Sequence, residues 1–268
     1  MNTLLTALGV ILYITSATLL LRRLASGAQA SRQGKLIALA MGLAASLSHI
    51  ASLHYTMITS EGLNLTFFHV LSLTSWLAAM LVVLSALKQP LENLGIAVFP
   101  FSAIALLAQI ATGTDGATVE VVGAGLKAHI LISIFSYSLL TIAALQALLL
   151  AIQTRHLRNR HPGGFIRALP PLETMETLLF RIIALGYILL SLSLLSGVTY
   201  IEDIFAQHLV HKTVLSFAAW VVFAILLWGR WRFGWRGRTA VRWTLSGFGV
   251  LMLAYFGSKL VLEFIVLN

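Results

Sequence analysis

The stretch KAHILISIFSYSLLTIAALQALLLAI, residues 127–152, decides the fold. It carries one charge, Lys127 at its start, and then only apolar, hydroxyl and amide side chains and a single imidazole. A helix rises about 1.5 Å per residue, so this run exceeds the roughly 30 Å hydrocarbon core of a bilayer. Within it His129, Ser133, Ser136 and Tyr137 fall at i, i+4, i+7 and i+8, which puts them on one helix face. A long apolar helix with one polar stripe fits a membrane bundle. Seven further runs of similar length lie near 3–21, 36–54, 64–87, 94–111, 176–197, 210–229 and 243–266.

Composition points the same way. With 59% hydrophobic and 10% charged residues, the 268-residue chain has too little polar surface to cover a soluble globule. The expected fold is therefore all-α: a polytopic membrane helix bundle of about eight transmembrane helices, read as one domain over residues 1–268. The first run has no basic stretch before it and is as long as a full span, so it reads as a retained helix and not as a cleaved signal peptide. Cysteine is absent, which excludes disulfides, thiolate metal sites and iron–sulfur clusters built by this chain.

Lys and Arg set the orientation. With the N-terminus outside, Arg22, Arg23, Arg32, Lys35, Lys88 and the arginines from Arg155 to Arg181 and from Arg230 to Arg242 fall on the inner side, and only Lys127, Lys212 and Lys259 on the outer. The outer loops carry Glu61, Asp115, Glu120, Glu202 and Asp203 instead. Both termini are thus expected to be extracytoplasmic. The net charge of +9 follows from this bias and not from a nucleic-acid surface, because the basic residues are spread over several loops without a binding motif. The densest cluster, Arg230-Trp231-Arg232-Phe233-Gly234-Trp235-Arg236-Gly237-Arg238, reads as an interfacial anchor able to contact anionic lipid. The longest inner connection, about 153–175, holds His161-Pro162-Gly163-Gly164 and Pro170-Pro171, turn formers that leave no room for a soluble domain. Pro100 is expected to kink the fourth span or to end a local turn.

Six histidines, His49, His54, His69, His129, His208 and His211, fall at the outer ends of these spans, where a polar side chain is costly without a partner or a task. His49 is flanked by Ser46 and Ser52, His69 opens a span with Ser72 and Trp76, and His208, His211 and Lys212 share a face. Any one of them reads as an interhelical hydrogen-bonding group, but six together favour a site. His156 and His161 belong to the inner basic loop and are expected to be solvated. Three chemistries fit such a set. A zinc site is disfavoured by the lack of an HExxH or comparable spacing. Haem iron between two imidazoles suits an apolar, aromatic bundle, with Lys212 snorkelling to the interface or pairing with a propionate. A proton relay is weakened by the scarcity of carboxylates in the spans, essentially Glu263. No nucleophile–base pair, phosphate loop or paired carboxylates stand out, so no catalytic residue is assigned.

The segments Gly234-Trp235-Arg236-Gly237-Arg238, Gly247-Phe248 and Tyr255-Phe256-Gly257, with His129 opening the fifth span and His211-Lys212-Thr213 opening the seventh, resemble the cytochrome c assembly proteins of the CcsA/HemX type. The inner blocks Leu157-Arg158-Asn159-Arg160-His161-Pro162 and Leu169-Pro170-Pro171 are similar to the eight-helix YpjD-type subgroup of bacterial inner-membrane proteins. The likeness covers nearly the whole chain and is strongest from about 125 onward. It implies a multi-pass protein of the inner membrane that binds haem or presents it at the extracytoplasmic side, with other cytochrome c assembly or haem-biosynthesis proteins as partners. Two features depart from the family. Glu202-Asp203-Ile204-Phe205-Ala206-Gln207-His208 stands where a tryptophan-rich WWD segment is expected, and the given sequence stops at Asn268 without the family's histidine after the last helix.

The expectation is a haem-handling membrane protein, chaperone-like or a transport component and not a complete synthetase, whose cofactor-binding candidates are His129, His211, His208, His69, His54, His49, Lys212 and Tyr137. Of these, His129 and His211 are the expected iron ligands. The alternatives are a non-catalytic, HemX-like partner or regulator of haem biosynthesis without bound haem and, third, a transporter or proton-coupled protein.

Overall fold

A computed structural model describes residues 2–26, 32–59, 62–111, 118–119, 124–159, 169–200 and 207–257; of residues 59, 118–119, 200, 207–211 and 256–257 only the main chain is described. The elements in chain order are α1 (Asn2–Ala25), α2 (Arg32–Met57), β1 (Ile58–Thr59), β2 (Gly62–Asn64), α3 (Phe67–Ala86), α4 (Gly95–Ala111), β3 (Thr118–Val119), α5 (Ala124–Arg158), α6 (Leu172–Tyr200), α7 (Gln207–Phe233) and α8 (Gly237–Met252), the last continued by a π turn, Leu253–Gly257. Among the described residues seven helices are long and apolar enough to cross a membrane. The expected eighth span begins in α8, and its residues 258–266 lie outside the described residues.

Several helices outrun the apolar runs that announce them. α5 continues to Arg158, and Arg155, His156 and Arg158 in its last turn suit the negative end of the helix dipole. Hydropathy marks only the part of a helix that lies in hydrocarbon, whereas the backbone goes on pairing with itself in the headgroup region. α6 starts just after Pro170-Pro171, since a proline stops the preceding segment from joining the helix. Pro100 lies in the second turn of α4, where its missing N–H removes one intrahelical bond without ending the helix.

The chain divides into two compact units, one formed by Met1–Glu120 with Arg155–Pro171 and the other by Val121–Thr154 with Leu172–Asn268. In the first, α1 packs chiefly on α2 and α4, and α3 on α4 and α2. Small residues set the spacing there. A Cβ on Gly42 would lie 2.9 Å from Phe99 Cζ, so only glycine admits the buried Phe99 ring, which also stacks on Tyr13 at 5.7 Å between centroids. Close approach of this kind replaces the hydrophobic drive that lipid cannot supply between helices. The first unit also carries a small antiparallel sheet, order β1-β2-β3, with Ile58 opposite Leu63 and Leu63 opposite Val119. It ties the α2–α3 connection to the segment after α4, and its strands are too short to show an alternating pattern in sequence.

In the second unit α7 packs on α8 and on α6. Hydroxyl and amide groups fasten α5 to α6 along their length: Ser136 Oγ donates to the Gly186 carbonyl at 3.0 Å, and Gln146 Nε2 to the Met175 carbonyl at 3.1 Å. Such bonds are the usual glue of membrane helices.

Candidate functional site

The polar face expected on α5 is built, and α6 answers it. Ser133 Oγ gives its proton to the His129 carbonyl at 2.7 Å, so the 2.7 Å contact with Ser193 Oγ must draw its proton from Ser193. Ser196 Oγ donates to the Ser193 carbonyl at 2.9 Å. Its single proton is thereby used, and the 2.9 Å bond between Ser196 Oγ and His129 Nδ1 takes its proton from the imidazole. This pattern assigns the neutral ring as the Nδ1–H tautomer with its lone pair on Nε2. A metal-binding histidine is oriented in the same way, through the nitrogen that does not touch the metal. His129 is half-buried, and no described residue donates to its Nε2.

About two turns further along α5, Tyr137 donates to the Leu251 carbonyl at 3.3 Å and meets the Tyr255 ring edge-on at 5.9 Å. Lys212 Nζ sits 5.8 Å above that Tyr255 ring. Along α5 the second unit thus carries a serine-bonded imidazole and, about two turns on, a group of two tyrosines and an ammonium. Farther along, Trp220 donates to Ser191 Oγ at 2.8 Å and stacks between Tyr187 and Phe217, both at 5.5 Å. His208 and His211 belong to the first turns of α7, next to Lys212 in sequence, and their side chains lie outside the described residues.

The histidines of the first unit are placed differently. His49 is fully buried, with Nε2 2.8 Å from Ser72 Oγ and Nδ1 3.3 Å from the Tyr13 hydroxyl. Ser46 Oγ donates to the Gly42 carbonyl at 2.9 Å, so the Tyr13 hydroxyl donates to Ser46 at 3.2 Å and accepts from His49. The chain of donors runs Ser72, His49, Tyr13, Ser46 and ends on a carbonyl. Both His49 nitrogens are engaged. Trp76 Nε1 adds a bond to the Ser46 carbonyl at 2.9 Å, so three helices are tied at this point. His69, in the first turn of α3 and also fully buried, holds Thr66 Oγ1 at 2.7 Å through Nδ1. His54, in the last turn of α2, is exposed with its ring edge-on to Tyr55. Among the described residues no three of His, Cys, Asp and Glu come together as a metal-ion site. A pair of axial imidazoles does not require such a cluster.

Ser193, Ser196 and Tyr13 are partners that sequence reading did not single out, and Tyr255 entered there only through the family likeness. Tyr13 carried a signal, since it is the one tyrosine inside the first span. The two serines repeat the spacing of many membrane serines and become informative only when α6 is placed beside His129.

The protein-family model described as Cytochrome C assembly protein matches residues 37–266. The inner membrane protein YpjD of Escherichia coli is 36% identical over 205 residues, which cover 76% of this chain and 78% of that protein. The cytochrome c biogenesis protein CcsA of Chlamydomonas reinhardtii is 29% identical over 142 residues, 52% of this chain and 38% of CcsA. The protein HemX of Brevibacillus brevis is 23% identical over 134 residues, 49% of each chain. No solved structure matches. A multi-pass helical architecture, a family match across most of the chain and a 36% identical relative over three quarters of it agree: the chain belongs to the cytochrome c assembly protein family.

Proposed function

We propose that this chain handles haem at the extracytoplasmic face of the inner membrane, binding or presenting it as a chaperone-like component and acting as a single functional domain with both termini outside. The observation that carries the reading is the 2.9 Å contact of His129 Nδ1 with Ser196 Oγ, whose own proton goes to the Ser193 carbonyl; this arrangement favours the Nδ1–H tautomer and leaves Nε2 without a donor among the described residues. The residues fit the group chemically. Haem supplies an iron that takes imidazole nitrogen and two propionates that take cations. His129 would provide one axial nitrogen and His211 the second, with His208 as a further candidate on the same helix. Lys212 holds its ammonium over the Tyr255 ring and would pair with a propionate, and Tyr137 and Tyr255 offer aromatic surface beside it. His49, His54 and His69 remain candidates for a second ligand set or for propionate bonds, and His49 would first have to release Ser72.

The absorption spectrum of detergent-purified protein from haem-replete cells tests this. A Soret band with bis-histidine features is expected, lost or shifted in His129→Ala and His211→Ala and unchanged in His156→Ala and His161→Ala. Equal spectra in all four variants at equal folded yield would refute the axial pair. A colourless native protein would instead support the HemX-like reading, a membrane partner or regulator of haem biosynthesis that keeps the fold without the cofactor.

A further inference from the structure

The corner between α7 and α8 holds five arginines, and the structure divides them into two kinds. Arg230 lies with its guanidinium 4.7 Å from the Phe180 ring centroid and donates through Nη1 to the Trp235 carbonyl at 3.1 Å. Arg236 bonds through Nε to Glu176 Oε2 at 3.1 Å, while the Gly237 amide donates to Glu176 Oε1 at 2.9 Å. Those two cations are internal to the fold. They fix the turn together with Gly234 and Gly237, whose φ values of 65° and 52° suit glycine, and with the Trp235 ring, which lies against Gly229 and stacks on Trp243. Arg232, Arg238 and Arg242 are different: all three are exposed and have no ion-pair or hydrogen-bond partner among the described residues. Arg238 and Arg242 are four apart on α8 and so share a face. Beside them Trp231 and Phe233 are 83% and 68% exposed.

We infer that Arg232, Arg238 and Arg242, with Trp231 and Phe233, form a binding site for the phosphate headgroups of anionic phospholipid in the cytoplasmic leaflet. A guanidinium fork matches phosphate oxygens two at a time, and an indole beside it rests at the level of the headgroups. Trp231 extends the outward apolar surface that α7 presents at Phe217, Ile225 and Trp228, and Arg232 stands at the end of that surface. Glu176, the carboxylate that these arginines would otherwise seek, is already taken by Arg236 and Gly237. The turn is therefore fixed by one acid and two glycines, and it sets the backbone positions from which the three exposed arginines project before any lipid arrives. Such preorganisation separates a site from the diffuse basic character of an inner loop.

The test uses the full chain in phosphatidylcholine vesicles containing either brominated phosphatidylglycerol or brominated phosphatidylcholine, with tryptophan quenching as the readout. The share of Trp231 is the difference between the native protein and Trp231→Phe. Trp231 is expected to be quenched preferentially by phosphatidylglycerol, with a selectivity of about fivefold per arginine at low salt, from roughly 1 kcal/mol for each basic residue near an anionic surface. The R232Q/R238Q/R242Q variant should lose that preference, and Lys88→Gln should keep it. Equal quenching by the two lipids in the native protein would overturn the site, as would a preference that survives in the triple variant. Should the triple variant fail to fold, a salt titration of the native protein decides: the preference must fall as the headgroup charge is screened, and a salt-independent preference refutes the site.

Discussion

His49→Ala and His129→Ala should have opposite signatures, although both remove a histidine from the end of a membrane span. His49 lies in a directed chain from Ser72 to the Gly42 carbonyl, and its loss leaves the Ser72 hydroxyl without its acceptor and the Tyr13 oxygen without the His49 donor, while Tyr13 keeps its bond to Ser46. Two interhelical bonds are worth about 0.6 kcal/mol each in a membrane. The space left by a fully buried imidazole, between Tyr13 edge-on at 5.8 Å and α3, adds a cavity cost toward the low end of the 2–5 kcal/mol seen for large-to-small core changes. The sum is about 3 kcal/mol, or roughly a hundredfold in the unfolding equilibrium. His129 is half-buried and makes one side-chain bond, to Ser196, so its removal costs about 1 kcal/mol.

Reversible unfolding in mixed micelles by SDS titration, followed by tryptophan fluorescence, measures both changes. The Soret absorbance of the same samples before titration reports the cofactor. His49→Ala should unfold at clearly lower SDS fraction while keeping whatever haem the folded fraction binds. His129→Ala should unfold near the native midpoint with its haem band lost or shifted. A destabilisation below 1 kcal/mol in His49→Ala would refute the closed network, and haem loss in folded His49→Ala equal to that in His129→Ala would refute the division of roles between them.

Three further outcomes follow from charge and packing. Reporter fusions after Ile58 and Thr118 should behave as extracytoplasmic and those after Gln33 and Gly163 as cytoplasmic, because Lys and Arg crowd the opposite loops; reversal of either pair would reject the orientation. Gly42→Val should lower the melting temperature in detergent by driving a side chain into Phe99, at a cost of about 1–3 kcal/mol, and Gly42→Ala should cost less; equal melting of the native and valine forms would contradict the close approach. Glu176→Ala should destabilise by about 2 kcal/mol, the range for a bond to a charged group. Because the Arg236 side chain is 59% exposed and can rehydrate, the loss should stay below that of a fully buried pair, and an unchanged SDS midpoint would show that the corner does not depend on the acid.

The class of fold was legible because hydropathy acts over whole spans: a run such as residues 127–152 cannot be covered by the few charges of this chain. The short sheet was not, since strands of two or three residues depend on pairing between distant connections. Helix ends were blurred where the backbone continues past the apolar segment, as α5 does to Arg158. The candidate site was half legible. Periodicity placed His129, Ser133 and Tyr137 on one face, and that face does make the bonds to α6 and to the end of α8.

Spacing along one helix could not separate His129 from His49, because each stands with serines nearby in an apolar run. The distinction lies in which way the neighbouring hydroxyl protons point, and that is set by residues on other helices. Around His129, Ser196 turns its proton to Ser193 and so accepts from Nδ1. Around His49, Ser46 turns its proton to Gly42, Tyr13 therefore accepts from Nδ1, and Ser72 fills Nε2. The same tautomer results in both places, but only at His49 is the lone pair already occupied. Ser72→Ala is consequently the sharpest probe of the difference. It should free His49 Nε2 at the cost of one interhelical bond, about 0.6 kcal/mol, without creating the serine-held geometry of His129. If added haem then gave Ser72→Ala extra bis-histidine absorbance over the native protein, an unoccupied nitrogen would be sufficient for ligation. An unchanged spectrum would mean that an unoccupied nitrogen is not sufficient and that the setting of His129 on the α5–α6 face matters as much as its lone pair.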